Sequence, residues 1–441
     1  MKRLLDFIAV LSVFFLWSNY AFAGIYDDND FDGIDLAQII AAYGSEAGDP
    51  NYNPYCDLNF DARVDASDIV ILSSLYGKTD IEPPDFAVNF PDPNLEAAIR
   101  EAINKPAGDI MYSDLQDLTE LYAVDRGIID LEGLQYCLNL RQLYLYSNQI
   151  GDISPLAGLI NLSDLQMNTN QISDISPLTG LVNLEMLVLY KNQISDISSL
   201  AGLVNLDFLW LSENQISEIS PLAGLINLKE LYLSENQISG ISPAANLVKL
   251  KFLELSRNQI SDISPLAGLI NLEKLYLYEN NISNISSLAG LLQLEDLELY
   301  QNQISDITPL AGLIHLLDLW LSNNQINDIS SLAGLTDLFV LMLSGNQISD
   351  IRPLAGLIYL NALYLSANQI SDISPLAGLV DLEWLGLVDN QISDISALVS
   401  NPGIGSRDLV YLNSNPLNAA SCNAYIPELL SRGASVSHDC P

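Results

Sequence analysis

The chain has 441 residues, with 55 Asp plus Glu against 17 Lys plus Arg and a formal net charge of −38. So acidic a surface repels phosphate backbones, which argues against nucleic acid and anionic membranes as partners and for divalent cations or basic and neutral proteins. Two histidines and four cysteines, none at zinc or nucleophile-base spacing, leave little from which to build an active site, so the reading is of a binding protein and not an enzyme.

In chain order, residues 1–23 come first: Lys2 and Arg3 precede an apolar run from Phe7 to Trp17, and Ala21-Phe22-Ala23 ends it with small residues. That is the pattern of a secretory signal peptide, and the run is too short to span a bilayer. No later segment has the apolar length of a membrane helix. The expected location is therefore secreted, extracellular or at the cell surface.

Residues 24–79 form a second, acidic segment with an internal duplication. A shift of 33 superposes Asp28 on Asp61, Asp32 on Asp65, Asp35 on Asp68 and Tyr43-Gly44 on Tyr76-Gly77. In the second copy, oxygen donors Asp57, Asn59, Asp61, Asp65 and Asp68 fall at loop positions 1, 3, 5, 9 and 12, with the Arg63 carbonyl at 7. A hard cation with six to eight oxygen ligands needs that spacing, and calcium is the expected ion. The first copy offers Asp28, Asp30, Asp32 and Asp35, but Gly24 and Tyr26 stand at its positions 1 and 3. Two loop-helix units closed by Asp instead of Glu resemble a dockerin-type module, although Ala62 replaces the usual turn glycine. The resemblance implies docking onto a cohesin-like domain, through Gly33-Ile34 and Ala66-Ser67. A solvated acidic linker, or a module packed on the helical cap that comes after it in the chain, are the alternatives.

Residues 80–112 read as a stiff linker and that helical cap. Pro83-Pro84 and Pro91 stiffen the connector, Asp92-Pro93 starts a helix, and Leu95, Ile99 and Ile103 are expected on its buried face. From 113 to 417 the chain repeats itself. Twelve asparagines, from Asn148 to Asn390, recur every 22 residues in a template LxxLxLxxNxIxxI followed by LAGL. Alternation around the leucines predicts a short strand with leucines turned inward. The asparagine is expected to be buried, bonding backbone groups at the bend and in the next coil. Ser-Pro, as at Ser154-Pro155, reads as an N-cap and first helical position of a short turn that the glycine of LAGL ends. One coil buries nothing alone; stacked coils share a core, which is why the string is constant. Residues 418–441 read as a C-terminal cap, with Ile426, Leu429 and Leu430 on a small amphipathic turn inside a Cys422/Cys440 bracket. Cys422 and Cys440 are the expected disulfide, and the pairing of Cys56 and Cys137 is left open.

The stretch FPDPNLEAAI, the stretch DLTELYAVDRGIIDLEGLQY and units such as NQISDISPLAGL together resemble the internalin group of bacterial leucine-rich-repeat proteins, over about Phe90 to Leu417. The resemblance implies an α/β solenoid: a curved right-handed horseshoe with a concave parallel sheet, short convex 3₁₀ or α turns, a helical N-terminal cap, and protein recognition by the concave face. The dockerin-like helical module would precede it. The tail after the repeats carries no sorting signal, wall-binding module or immunoglobulin-like domain, so wall anchoring and invasion are not carried over.

Variation between units concentrates at the outward strand positions. Thirteen of these are aromatic: Tyr144, Tyr146, Tyr190, Phe208, Trp210, Tyr232, Phe252, Tyr276, Tyr278, Tyr300, Trp320, Tyr364 and Trp384. Large rings with few rotatable bonds, mixed with Ser, Asp and Glu, suit a recognition surface. The expected partner is a protein on the concave face. The alternative is a non-catalytic subunit of an extracellular polysaccharide-processing assembly that holds glycan on the same rings.

Overall fold

A computed structural model describes residues 85–440. The expected signal peptide, the expected calcium ligands (Asp28, Asp30, Asp32, Asp35, Asp57, Asn59, Asp61, Arg63, Asp65 and Asp68) and Cys56 lie outside the described residues. The described residues form two compact units, the first made of 85–144 with 148–162 and 176–182, the second of 145–147, 163–175 and 183–440.

In the first unit, Asp92 starts helix α1 (Pro93–Ala102), its Oδ1 accepting from the Asn94 and Leu95 N–H groups. Its Oδ2 accepts from Ile129 and Asp130, so one carboxylate joins the helix start to a later loop. Burial pushes this carboxyl up, but the four backbone donors outweigh it and hold it below the usual range. Leu95, Ala98 and Ile99 are buried. The expected stripe is shorter than the sequence suggested: the helix stops at Ala102, and Ile103 is only half-buried, because Asn104 turns left-handed at φ 53°. A short helix α2 (Tyr112–Leu115) leads to strands β1 (Glu120–Tyr122) and β2 (Gln142–Tyr144), which pair in parallel with Leu121 opposite Leu143. Cys137 is buried with a free thiol, and desolvation pushes its pKa to about 12.

The second unit holds thirteen parallel strands in chain order: β3 (Asp164–Gln166), β4 (Met186–Val188), β5 (Phe208–Trp210), β6 (Glu230–Tyr232), β7 (Phe252–Glu254), β8 (Lys274–Tyr276), β9 (Asp296–Glu298), β10 (Asp318–Trp320), β11 (Val340–Met342), β12 (Ala362–Tyr364), β13 (Trp384–Gly386), β14 (Leu409–Tyr411) and β15 (Ser435–Ser437). From β3 to β13 the central leucines pair with one another, as Leu209 with Leu231 and Leu319 with Leu341. Those leucines, and the flanking ones such as Leu211 and Leu233, have no exposed surface. Each such side chain contributes about 2 kcal/mol by leaving water. From β3 to β14 the middle residue of each strand faces a shared interior and its neighbours mostly face out, whereas Val436 in β15 is only half-buried.

The ladder asparagines are buried or nearly so, and their bonds are uniform. Asn258 Nδ2 donates to the carbonyls of Leu255, Ser256 and Leu233, while its Oδ1 accepts from the Ile238 N–H. The coil it reaches is the preceding one, where the sequence reading named the next. A thirteenth member, Asn415, makes the same set to Leu387, Leu412, Asn413 and Ile392 after a longer spacing.

Two local devices differ from expectation. The serine of Ser-Pro is the first 3₁₀ residue and caps nothing; the aspartate two residues earlier accepts its N–H, as Asp262 does for Ser264 and Asp372 for Ser374. The glycine of LAGL ends the turn as expected, as Gly268 does, but with an ordinary φ. The left-handed residue stands directly before the ladder asparagine, at Glu235, Arg257 or Ala367 with φ near 55°. The bend is made there because the chain must leave the strand and aim the next side chain inward.

Beyond β13 the spacing lengthens, with Trp384 opposite Leu409 and Leu409 opposite Ser435. Helices α3 (Ser396–Ser400) and α4 (Ile426–Ser431) fall in this stretch. Ile426 and Leu429 are buried, whereas Leu430, expected beside them, is 48% exposed because α4 turns it to solvent. Cys422 and Cys440 form a disulfide with Cα atoms 5.6 Å apart. No helix among the described residues is long and apolar enough to cross a membrane.

Candidate functional site

Because neighbouring strands pair without offset, equal positions in successive units make straight rows. One row on the open face of the second unit runs Trp210, Tyr232, Glu254, Tyr276, Glu298, Trp320 from β5 to β10. Beside it runs Phe208, Glu230, Phe252, Lys274, Asp296, Asp318. Two residues past each of β8 and β9 stand Tyr278 and Tyr300.

These rings stack instead of standing singly in solvent. Tyr190 lies on Trp210 at 4.3 Å, Trp210 on Tyr232 at 5.1 Å, Tyr232 on Phe252 at 4.5 Å, and Phe252 meets Tyr276 edge-on at 5.0 Å. Tyr278 stacks on Tyr300 at 4.4 Å, and Tyr300 contacts Trp320 at 6.0 Å. The sequence reading expected a freely exposed field. The rings are half-buried, each covered by at least one neighbouring ring, and Trp210 and Tyr232 by rings on two sides. Trp384 is the exception at 42% exposed. Tyr364, on β12, is half-buried next to Gly386 and in no ring contact among the described residues. In the first unit Tyr144 stacks on Tyr122 at 4.5 Å, and Tyr122, which the sequence reading left out, is 59% exposed. Tyr146 belongs to the second unit and is half-buried.

The carboxylates among these rings are the site residues that sequence reasoning saw only as neighbours. Burial pushes Glu254, Asp318 and Glu298 up, and the charges of Asp296, Glu254 and Asp318 take Glu298 further, to about 7. Tyr232, Tyr276 and Tyr300 are likewise raised by burial and by the carboxylates around them. The local cations are already engaged. Lys274 Nζ lies 2.9 Å from Asp296 Oδ2, and Arg257, over the Tyr278 ring at 5.9 Å, bridges Glu235 and Glu279. Glu298 joins no ion pair and accepts no side-chain hydrogen bond among the described residues.

A separate apolar row was also missed. The residue after the leucine that closes each 3₁₀ turn is exposed: Val204, Ile226, Val248, Ile270, Leu292 and Ile314, at 46–57%. Its signal was present as the branched or long apolar residue that comes after Gly-Leu in nearly every unit.

A family model described as leucine-rich repeats in two copies matches residues 138–180, 182–224, 226–268, 270–312, 314–356 and 336–378, more than half of the chain. This chain belongs to the leucine-rich-repeat family. Among solved structures, the leucine-rich-repeat chain is similar to an internalin (inlF) from Listeria monocytogenes, at 38% identity and a TM-score of 0.69 over 71% of this chain and 94% of that one. A leucine-rich-repeat protein from Leptospira interrogans has the same fold at 23% identity, with a TM-score of 0.60 over 74% of this chain and 97% of that one. A plant peptide hormone receptor, RGFR1, in complex with RGF2, has it at 24% identity, with a TM-score of 0.58 over 64% and 49%. No curated protein sequence matches the chain.

Proposed function

We propose that this leucine-rich-repeat protein is exported and recognises a partner protein through the open face of its sheet. The observation that carries the reading is the row from Trp210 to Trp320, whose rings are ordered by stacking yet stay partly exposed on the open face of the sheet while the strand leucines beside them are buried. Rings held in place by their neighbours lose little freedom on binding, so the area they bury goes further toward affinity. The likeness to internalins and the peptide-bound plant receptor of the same fold support a protein ligand. The N-terminal module, from the spacing of Asp57, Asn59, Asp61, Asp65 and Asp68, takes calcium and serves as a tether, with a cohesin-like domain as its docking partner.

The test sets capture of proteins from the native medium beside a glycan array, using the full chain and a Trp210→Ala, Tyr232→Ala, Trp320→Ala variant. Discrete protein capture that falls at least tenfold in the variant is expected. Capture untouched by the three substitutions, or binding to glycan alone, overturns the reading.

A further inference from the structure

Two glutamates on the open face stand in the same setting. In the row of paired positions, Glu254 lies between Tyr232 and Tyr276, and Glu298 between Tyr276 and Trp320. Each is therefore a carboxylate with an aromatic ring on both sides, and Tyr276 is shared. Strands lie about 4.8 Å apart, so the two carboxylates are about 10 Å apart along the row.

Neither glutamate is in an ion pair among the described residues, and both are half-buried; Glu254 has a hydrogen bond from Ser234 and the more distant charge of Arg257, whereas Glu298 has neither. The cations within reach are spent on other acids, Lys274 on Asp296 and Arg257 on Glu235 and Glu279. Asp296 and Asp318 face each other in register at the edge of the same patch. A half-buried charge without a counterion is costly, and like charges beside it add to the cost. Rings in register on both sides offer what a bare acidic surface lacks, since a cation held over a ring gains about 0.5–2 kcal/mol, and Tyr276, shared by both glutamates, meets Phe252 edge-on and not face to face. Arg257 over Tyr278 at 5.9 Å shows the same pairing already made within this chain.

We infer that the face from β6 to β10 receives a basic segment of the partner, with one Lys or Arg side chain seated at Glu254 between Tyr232 and Tyr276 and a second, about 10 Å away, at Glu298 between Tyr276 and Trp320. This rests on the protein-recognition reading and narrows it to a dibasic ligand. The charge complementarity selects the occupant: an acidic or neutral segment leaves Glu298 without a partner and Glu254 with only the Ser234 hydroxyl as they lose water.

The experiment uses the full-length protein and an acetylated, amidated peptide Arg-Gly-Gly-Arg, followed by the emission of the tryptophans at low salt. The control peptide has citrulline in place of both arginines, which keeps shape and hydrogen bonding and removes charge. The arginine peptide is expected to bind at least tenfold more tightly than the citrulline peptide. That preference is expected to vanish in E254Q/E298Q and to persist in E213Q/E218Q, which removes the same charge from exposed positions off the row. Equal binding of the two peptides, or a preference unchanged in E254Q/E298Q, overturns the inference. Glutamine is isosteric and relieves repulsion, and circular dichroism confirms that each variant is folded. If E254Q/E298Q still captures the native protein partner while ring substitutions abolish capture, the dibasic inference falls and the recognition reading stands. If ring substitutions leave capture untouched, the recognition reading itself falls.

Discussion

Asn258 shows how much one side chain holds in this fold. Its amide satisfies three carbonyls and one N–H at the bend, so truncation strands backbone groups that water does not reach. Asn258→Ala is expected to cost about 2 kcal/mol in urea unfolding, against a few tenths for Gln259→Ala next to it, which is exposed. Ala367 sits at φ 55°, which costs about 1 kcal/mol for a side-chain-bearing residue. Ala367→Gly is therefore expected to raise stability by about 0.5 kcal/mol after the glycine's added unfolded-state freedom. Glu298 titrates near pH 7, raised by burial and by Asp296, Glu254 and Asp318, with Lys274 engaged by Asp296 and no other cation facing it. A carboxyl raised in the folded state favours folding fully below its ordinary value of 4.5, and that contribution is lost as pH rises through 7. Glu298→Gln mimics the protonated form, so it is expected to stabilise by about 1 kcal/mol at pH 8, a figure discounted for partial solvent screening, and to have no effect at pH 4.

At the scale of the element, a unit is a strand, a bend and a 3₁₀ turn that touches only its neighbours. Removing residues 259–280 shifts the rest by one whole unit and keeps every leucine opposite a leucine, so a folded chain with a slightly lower melting temperature is expected. Removing 259–269 alone breaks the pairing and is expected to unfold the neighbouring strands. At the far end, reduction of Cys422–Cys440 is expected to cost about 3 kcal/mol. The loss should be local: amides of Leu412 and Ser435, bonded to Ser437 and Asp408, exchange faster while that of Leu277 does not change. The strands, the inward leucines and the ladder were legible because a period of 22 fixes which side chains meet, and only one stacking satisfies all of them. The Asp262-to-Ser264 cap and the left-handed Arg257 were not, since Ser-Pro and Gly carry stronger generic signals for those roles than Asp or Arg do. The outward rings were legible as outward, but not as stacked, because contact between Trp210 and Tyr232 depends on rotamers that spacing does not set. The placing of Glu254 and Glu298 beside those rings depends on the register of neighbouring strands and on Lys274 and Arg257 being engaged by other acids, neither of which a period alone sets.

At the scale of the whole molecule, a net charge of −38 sets conditions on stability and on binding alike. Moderate salt is expected to raise the melting temperature by screening self-repulsion, and to weaken capture of a basic partner by the same screening. The proposed calcium site is at the other end of the chain. Chelation of the full-length protein is expected to lower the first melting transition, and Asp57→Ala or Asp68→Ala to remove that response; a chelator without effect on wild type points to an acidic linker. The proposed recognition surface is the open sheet face, and not the exposed apolar row. That claim is tested most directly by placing a photo-cross-linking residue at Tyr276 or at Ile270 in the full-length protein and illuminating each in its native surroundings. A discrete protein adduct from position 276 and none from 270 is predicted, whereas an adduct from 270 with none from 276 would contradict the account.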